Sequence, residues 1–206
     1  MMKPPKIILA SSSSYRRAQL KNIGFDVPGI SPAIDEAAQP GELPHSLACR
    51  LSLEKARTVA SNSPDAIVIG SDQVATVTDQ QGHEHILGKP GTLERATSQL
   101  RMCSGNTVRF ITALSLVDGI DNRQQTAAED VLVTFKTLTD DTIERYLRKE
   151  QPYDCAGSFK AEGTGILLFD RIESRDPNTL IGMPVMLLRD MLAKWQIDLL
   201  DIILSQ

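Results

Sequence analysis

A short apolar run at the start of the chain, Ile7–Ala10, passes directly into four serines, Ser11–Ser14. The β-branched run predicts a short buried strand. Leu20 and Ile23 then stand three residues apart before Gly24, a spacing that predicts a helix ending at the glycine. A strand, a polar turn and a helix form the first half of an α/β unit. This start therefore predicts an α/β fold with its serines near the beginning of a helix.

The rest of the chain continues this alternation of strands and helices. A polar hairpin is predicted at Thr78–His85, and residues 151–165 form a glycine-rich loop. Because no repeat or Pro/Gly/Ser-rich linker divides the sequence, residues 1–206 are predicted to form a single domain. Further strands are predicted at Phe25–Ile30, Ala66–Gly70, Thr107–Val117, Glu129–Phe135 and Ile166–Ile172, and helices at Leu43–Ser61, Thr92–Cys103, from Thr139, Leu187–Trp195 and Ile197–Leu204.

The charge and the cysteines argue against several classes of protein. A formal net charge of −4 argues against a basic face for nucleic acid polymers, although one pocket could still bind a nucleotide. The cysteines Cys49, Cys103 and Cys155 form no CxxC pair, which argues against a disulfide framework and favours a reducing compartment. No apolar run approaches the ~20 residues that a spanning helix needs. We therefore expect a soluble, cytoplasmic protein with no membrane partner.

Two segments carry residues suited to phosphate chemistry. Free N–H groups at the start of a helix attract anions, and Arg16 one turn later could bind phosphate oxygens. The alternative is an ordinary serine N-cap followed by solvated arginines. Asp72 follows the strand Ala66–Gly70, at the edge where open α/β sheets bind ligands, and could hold a cation or activate water. The alternative is an aspartate that closes a turn.

Other polar residues are weaker candidates. Lys55 lies on a predicted helix, where a lysine is usually solvated, and Lys89 lies in a rigid Gly-Lys-Pro turn suited to phosphate. Glu162 lies in the glycine-rich loop and matches the donor edge of guanine, or is an exposed loop acid. His83 and His85 could bind a metal, but a solvated hairpin is the simpler interpretation. Cys155 has no histidine near it in sequence and is read as a small buried residue.

The order and spacing of five short motifs identify a family. The motifs resemble those of the Maf family of nucleotide pyrophosphatases, over about Ile7 to Leu192. They are Leu-Ala-Ser-Ser-Ser-Ser-Tyr-Arg-Arg from Leu9, Glu-Lys-Ala from Glu54, Gly-Ser-Asp-Gln from Gly70, Gly-Lys-Pro from Gly88 and Cys-Ala-Gly-Ser-Phe from Cys155, with Arg-Asp-Pro-Asn-Thr from Arg175 further on.

The resemblance implies a fold, an activity and a cofactor. The fold is a two-lobed, inosine-triphosphatase-like α/β architecture around an elongated mixed sheet, with the active site in the cleft and often a homodimer. The activity is hydrolysis of a nucleoside triphosphate between its α- and β-phosphates. The cofactor is a divalent metal, usually Mg²⁺, with Mn²⁺ as the alternative.

The resemblance also implies roles for individual residues. The catalytic aspartate is Asp72, with Glu36 as a second metal-binding acid. Phosphate binding falls on Ser11, Ser13, Arg16, Lys55 and Lys89, and base selection falls on Tyr15, Gln73 and Glu162.

The base-selecting residues resemble the branch of the family that hydrolyses 7-methyl-GTP. Methylation at N7 makes the guanine ring cationic, and such a ring stacks well on an aromatic face like that of Tyr15. Glu162 would add charge-assisted hydrogen bonds to the N1–H and N2–H₂ edge. The chain departs from the pattern at Ser14, where a proline is usual, at Tyr15, which replaces a tryptophan, and in a longer hairpin at Thr78–Ile86. The alternative functions are a pyrophosphatase selective for UTP, dTTP or other modified nucleotides, and a nucleotide-binding regulator of septum formation.

Overall fold

A computed structural model of the chain describes residues 5–79 and 81–205. The strands within them are β1 (Lys6–Ala10), β2 (Gly29–Ile30), β3 (Ala66–Thr78), β4 (Glu84–Leu87), β5 (Thr107–Asp118), β6 (Gln124–Phe135) and β7 (Phe169–Glu173). The α-helices are α1 (Ser14–Asn22), α2 (Pro44–Ala60), α3 (Leu93–Cys103), α4 (Asp140–Glu150), α5 (Val185–Ala193) and α6 (Leu199–Leu204). Short 3₁₀ turns lie at Ala156–Ser158, Thr164–Leu168 and Thr179–Ile181.

The strands form one mixed sheet in the order β2-β1-β3-β5-β6-β7, with β4 paired to β3. Strand β1 pairs in parallel with β2 and β3, whereas β3 with β4, and β6 with β7, are antiparallel. This confirms the predicted α/β class with a mixed sheet.

The chain divides into two compact units. The first unit consists of Met1–Asp72, Thr112–Glu129 and Asp176–Gln206, and the second of Gln73–Ile111 and Asp130–Arg175.

The first unit buries both faces of β1. Ile7 and Leu9 belong to one apolar cluster, which also contains Leu20 of α1 and Leu188 of α5, all at most 6% exposed. The alternate residues Ile8 and Ala10 pack with α2 in a second cluster. A strand buried on both faces reads as a continuous apolar run in the sequence, which is why β1 could be predicted.

Four phenylalanines form the centre of the second unit. Phe159 makes edge-to-face contacts with Phe110, Phe135 and Phe169, at ring-centroid distances of 5.4, 5.6 and 4.8 Å. Such pairs contribute roughly 0.5–1.5 kcal/mol beyond the area they bury. Phe159 therefore anchors the loop that follows it.

Several predicted strands have different bounds in the structure; the strand predicted at Glu129–Phe135, for example, begins earlier, at Gln124. The predicted strand Phe25–Ile30 is reduced to Gly29–Ile30, because Pro28 has no N–H to donate to a ladder. The strand predicted at Ala66–Gly70 continues to Thr78, since its second half pairs with β4. The strand predicted at Ile166–Ile172 begins only at Phe169, after a 3₁₀ turn at Thr164–Leu168.

The hairpin joins β3 to β4, and its histidines are exposed as predicted; Gln80 lies outside the described residues. Asp79 Oδ2 contacts His85 Nε2 at 2.7 Å and His83 Nδ1 at 3.5 Å. Among residues 5–79 and 81–205 there is no group of three or more His, Cys, Asp or Glu side chains arranged to hold a metal ion. The exposure of both histidines and their contacts with Asp79 are consistent with a solvated hairpin.

Within the same described ranges, no helix combines the length and the apolar character that crossing a membrane requires.

Candidate active site

Lys55 lies at the centre of a charged cluster in the first unit. Its side chain is 7% exposed, and its Nζ lies 2.6 Å from Asp72 Oδ1 and 2.6 Å from Glu36 Oε1. The expectation that a lysine on this helix would be solvated is therefore wrong. Two carboxylates 17 and 19 residues away in sequence supply the partners that a buried ammonium needs.

Close packing of α2 against β3 brings Lys55 to Asp72. A Cβ atom at Gly70 would lie 2.0 Å from the Ser52 carbonyl oxygen and 2.9 Å from the Ala56 nitrogen. Only a glycine at this position lets the helix backbone approach the strand so closely. Gly70 therefore fixes the distance between the helix that carries the lysine and the strand that carries the aspartate.

Asp72 lies inside β3, which corrects the expectation that it follows the end of a strand. The parallel pairing of β3 with β1 ends at Gly70, opposite Ala10, so Asp72 lies two residues beyond the last parallel pair. Asp72 therefore does lie just beyond the carboxyl end of the parallel β1–β3 pairing, as expected, although β3 itself continues to Thr78.

Burial raises the pKa of Asp72 above its ordinary value, while the charges of Lys55 and Arg16 act in the opposite direction and Glu36 adds to the rise. Its Oδ1 accepts the Lys55 hydrogen bond. Its Oδ2 accepts no hydrogen bond from the residues that the structure describes. One oxygen is thus held in place while the other can take a proton.

The serine turn is an N-cap, as the simpler interpretation expected, but Arg16 is half-buried and hydrogen-bonded rather than solvated. Ser13 Oγ accepts a hydrogen bond from Arg16 N at 3.3 Å, and Ser11 Oγ accepts one from Ser13 N at 3.1 Å. Each hydroxyl keeps its own O–H as a donor, because a serine hydroxyl both donates and accepts. A role in capping is therefore compatible with a role in binding an anion.

A backbone carbonyl that sequence reasoning missed orients Arg16. The Gly182 oxygen accepts hydrogen bonds from Arg16 Nε at 2.9 Å and from Ser71 Oγ at 3.0 Å. The same oxygen therefore holds the arginine and the residue that precedes Asp72. Burial lowers the pKa of Arg16, and the charges of Asp72 and Glu36 oppose that effect.

Asp176, which is fully buried, fixes the segment that carries Gly182. Its carboxylate accepts hydrogen bonds from the backbone N–H groups of Asn178 and Met186, both at 2.8 Å. The Arg-Asp-Pro-Asn-Thr motif contained this residue, but only its contacts reveal its part in the site.

Arg50 holds the loop around Glu36. Its guanidinium binds both Glu42 carboxylate oxygens, at 2.7 and 2.8 Å, and the Ala37 carbonyl at 3.0 Å. A bidentate pair of this kind is among the stronger hydrogen-bonded contacts. The hydrogen bond from Arg50, with one from Gln39 N as the second cause, lowers the pKa of Glu42 to about 2.

The Glu42→Gln variant tests this anchor through pH. Because the folded-state pKa of Glu42 is depressed from 4.5 to about 2, its contribution to stability is fully present above 4.5 and is lost as pH falls towards 2. We expect Glu42→Gln to be less stable than the parent at pH 7, with the difference in free energy of unfolding narrowing across that window. Urea titrations at several pH values measure this. A difference that stays constant at every pH would contradict it.

The remaining predicted residues are placed as follows. Tyr15 is half-buried on α1 in the first unit, whereas Gln73 is a half-buried residue of β3 in the second. Lys89 and Glu162 are exposed residues of the second unit, and neither makes an ion pair with the residues the structure describes. The first unit thus brings together Ser11, Ser13, Arg16, Glu36, Lys55 and Asp72.

The environment of Cys155 does not favour a role as a nucleophile. Burial, with the neighbouring Asp154 charge as the next cause, raises the pKa of its thiol to about 12. The thiolate form that would attack a substrate is therefore disfavoured at neutral pH. Cys155 is half-buried and Cys103 fully buried, and all three cysteines are free thiols.

The charged cluster suits polyphosphate chemistry. Lys55 and Arg16 are cations beside an aspartate whose Oδ2 is open. Glu36 and Asp72 each place one carboxylate oxygen 2.6 Å from the Lys55 ammonium, so the two acids lie close together. Mg²⁺ is typically held by one or two carboxylates with substrate phosphates completing its ligands, and this pair of acids fits that donor set.

Comparison with known proteins gives a consistent family. The family model for Maf-like proteins matches residues 6–195. A "7-methyl-GTP pyrophosphatase" of Xanthomonas axonopodis pv. citri is 53% identical over 188 residues, covering 91% of this chain and 95% of its own. One of Bordetella pertussis is 50% identical over 195 residues, covering 95% and 94%. One of Nitrosococcus oceani is 47% identical over 189 residues, covering 92% of each chain.

A family match over nearly the whole chain accords with the buried lysine, the open aspartate oxygen and the helix-capping serines found in the first unit. The chain belongs to the Maf family.

Proposed function

We propose that this chain is a nucleoside-triphosphate pyrophosphatase that converts 7-methyl-GTP to 7-methyl-GMP and pyrophosphate. The observation that carries the proposal is the buried Asp72, with Oδ1 bound by Lys55 and Oδ2 accepting no hydrogen bond from the described residues. The names of relatives about 50% identical to the chain supply the substrate.

Phosphate binding falls to the cations and hydroxyls. Arg16 Nε donates to the Gly182 carbonyl, so the two terminal nitrogens of the guanidinium can donate to phosphate oxygens as a bidentate pair. The Ser11 and Ser13 hydroxyls can donate to the same anion at the start of α1. In the second unit, the exposed Lys89 lies in the segment between β4 and α3 and is proposed to neutralise a further phosphate.

Asp72 supplies the base. Its Oδ2 accepts a proton from a water molecule, whose oxygen forms a bond to the α-phosphorus as the bond to the bridging oxygen breaks. The leaving group is pyrophosphate, and Lys55 stabilises the negative charge that develops on the phosphates. A positioned base of this kind contributes roughly 10²–10⁴-fold to a rate.

Glu36 and Asp72 are the residues that would hold a divalent cation, with Mg²⁺ or Mn²⁺ as the proposed ion. Such an ion supplies charge neutralisation on the phosphates when it is bound.

Base selection is assigned to Tyr15, Gln73 and Glu162. The exposed Glu162 can accept from the N1–H and N2–H₂ groups of guanine, an edge that uracil and thymine lack. An aromatic face at Tyr15 would stack on the cationic ring, and cation–π contacts contribute roughly 0.5–2 kcal/mol.

The site of bond cleavage tests the proposed reaction. With 7-methyl-GTP and Mg²⁺ in ¹⁸O-labelled water, we expect the label in 7-methyl-GMP and none in pyrophosphate, because water attacks the α-phosphorus. Phosphorus NMR or mass spectrometry of the products reads this directly. Label in pyrophosphate, or release of inorganic phosphate with a diphosphate product, would reject the proposed reaction.

Gly182→Ala tests the support of Arg16. Gly182 has φ +117°, and a Cβ there would lie 3.3 Å from Arg16 Nε. The added methyl should strain the backbone and displace the guanidinium, raising KM for 7-methyl-GTP by roughly tenfold through loss of one charge-assisted hydrogen bond.

Gly82→Ala is the matched control for Gly182→Ala. Gly82 also has a positive φ, +85°, but a Cβ there would meet nothing within 4 Å. Steady-state KM values for the two variants separate backbone strain from displacement of Arg16. Equal KM values in both would contradict a specific role for the Gly182 carbonyl.

A cytoplasmic, homodimeric state completes the proposal. The family resemblance implies the dimer, and three free thiols suit a reducing compartment. Sedimentation at equilibrium should give twice the chain mass of 22.6 kDa.

A further inference from the structure

One amide side chain in the second unit contacts two loops that carry proposed substrate ligands. Gln99 lies on α3 and is half-buried. Its Nε2 donates to the Gly88 carbonyl at 3.0 Å. Its Oε1 accepts from Ser158 Oγ at 2.5 Å. The amide nitrogen of Gln99 therefore contacts the segment that contains Gly88, and the amide oxygen contacts the loop that contains Ser158.

The two contacted residues stand next to the proposed ligands. Gly88 immediately precedes Lys89, the proposed phosphate ligand, and Ser158 stands four residues before Glu162, the proposed guanine ligand. The Gln99 contacts are therefore placed to control the position of both ligands within this unit.

Ser158 is held in an unusual conformation. It is fully buried and has φ +64°, a region that non-glycine residues rarely adopt. The next residue, Phe159, is locked in the aromatic cluster. Backbone strain of this kind persists only where surrounding contacts determine it, and it often accompanies functional sites.

Helix α4 holds the far side of the same loop. Lys160 N donates to the Tyr146 hydroxyl at 3.0 Å, and Lys160 Nζ donates to the Glu150 carbonyl at 3.1 Å. A Cβ at Gly165 would lie 2.8 Å from the Tyr146 hydroxyl, so the loop packs tightly there. These contacts hold the loop on the α4 side, and the Ser158 hydroxyl ties the start of the same loop to Gln99.

We infer that Gln99 is a positioning residue that sets Lys89 and Glu162 in a fixed arrangement and so contributes to base selectivity. The inference rests on the proposed roles of Lys89 and Glu162. Gln99 has no contact with the reacting atoms in this assignment. Its effect is on the binding of every nucleotide through the Lys89 segment, and on which base is accepted through the Glu162 loop.

Variants that break one contact at a time separate the two loops. Gln99→Glu keeps an oxygen for Ser158 but places a carboxylate oxygen against the Gly88 carbonyl, so the Lys89 turn is released. We expect KM to rise roughly fivefold for every nucleotide, a loss of about one hydrogen bond. Ser158→Gly accepts the positive φ and removes the hydroxyl, which releases the Glu162 loop. It should lower the ratio of kcat/KM for 7-methyl-GTP to that for UTP by roughly fivefold.

Gln99→Met removes both contacts at similar size and should show both effects. Gln125→Glu is the matched control, because Gln125 is also half-buried and its Nε2 donates to the Met191 carbonyl at 2.6 Å in the first unit. The control should lose stability without changing the selectivity ratio. If Gln99 has only a structural role, Gln99→Met should likewise lower Tm and leave the ratio of kcat/KM for 7-methyl-GTP to that for UTP unchanged.

The outcomes distinguish this inference from the proposed function. Glu162→Gln should lower the 7-methyl-GTP to UTP ratio whether or not Gln99 acts as inferred. If Glu162→Gln lowers the ratio while Gln99→Met and Ser158→Gly leave it unchanged, the inference about Gln99 is wrong and the proposed function stands. If Glu162→Gln also leaves the ratio unchanged, the proposed base recognition has failed and the inference fails with it.

Discussion

Asp72→Asn should lower kcat for 7-methyl-GTP by about 10²–10⁴-fold, the usual contribution of a positioned base. Asparagine has nearly the same shape, and its amide oxygen can still accept the Lys55 hydrogen bond found at 2.6 Å. The variant loses the proposed proton acceptor at Oδ2 and one of the two carboxylates proposed to hold the cation, so Kd is compared without added metal. The nucleotide should therefore still bind, with a Kd that changes much less than kcat.

Single-turnover hydrolysis and equilibrium titration with 7-methyl-GTP measure these two quantities separately. Asp121→Asn is a suitable control, because Asp121 is an exposed aspartate of the same unit whose side chain is 57% exposed. It should leave both kcat and Kd unchanged. If Asp72→Asn kept the activity of the parent, Asp72 would not be the base.

Lys55→Met should produce the largest change in stability. The variant leaves the buried Asp72 and the Glu36 carboxylate without their shared cation. Breaking a buried ion pair from one side costs about 3–5 kcal/mol, because the remaining charge is buried without a partner. We expect a loss near the lower end, about 3 kcal/mol, because the Glu36 side chain is 54% exposed and can reach water.

The pH dependence of this loss has a definite sign. Burial already raises the pKa of Asp72, and removing Lys55, whose charge lowers it, raises that pKa further. A carboxyl whose folded-state pKa is raised is penalised when ionised, so the penalty grows as pH rises through the ordinary aspartate range. The deficit of Lys55→Met should therefore be smaller at acid pH than at neutral pH.

Urea titrations of the metal-free protein test both statements about Lys55→Met. The double variant Lys55→Met/Asp72→Asn should recover more than half of the lost stability, since the buried charge is gone. Lys136→Met is the matched control, because Lys136 is 53% exposed and its ion pair with Asp170 spans 3.8 Å. Such exposed pairs contribute about 0–1 kcal/mol. A double variant as unstable as the single one would contradict the account.

Local sequence signals predicted the parts of the fold that depend on neighbouring residues. The sequence predicts a helix from Thr139, and the Thr139 hydroxyl caps that helix by accepting a hydrogen bond from Thr142 N at 3.2 Å. Gly24 was expected to end a helix, and it follows α1 with φ +85°. Both features need only a few consecutive residues, so the sequence contains what determines them.

Features that depend on distant residues were predicted poorly or missed. Lys55 was expected to be solvated because its partners lie outside its own helix. The Gly182 carbonyl is 166 residues from the Arg16 side chain that it accepts from. A backbone oxygen has no sequence signature, so no motif could have indicated it. Gln99 was missed for the same reason, because Ser158 is 59 residues away.

The length of β3 could not be predicted from its own sequence, because it depends on pairing with another strand. The apolar run ends at Gly70, and the polar Ser-Asp-Gln that follows suggests a turn. The strand continues because β4 pairs with Ala75–Thr78 in antiparallel register. Asp72 is thereby held on a rigid strand, which suits a residue that must keep one fixed orientation towards its substrate.

The most direct test of the central claim is a steady-state comparison of 7-methyl-GTP with GTP, UTP and dTTP in the presence of Mg²⁺. The account predicts that kcat/KM is highest for 7-methyl-GTP, lower for GTP, which lacks the cationic ring, and lowest for UTP and dTTP, which lack the guanine edge. Faster cleavage of UTP or dTTP would contradict the assigned substrate, and binding without any release of pyrophosphate would contradict the assigned activity.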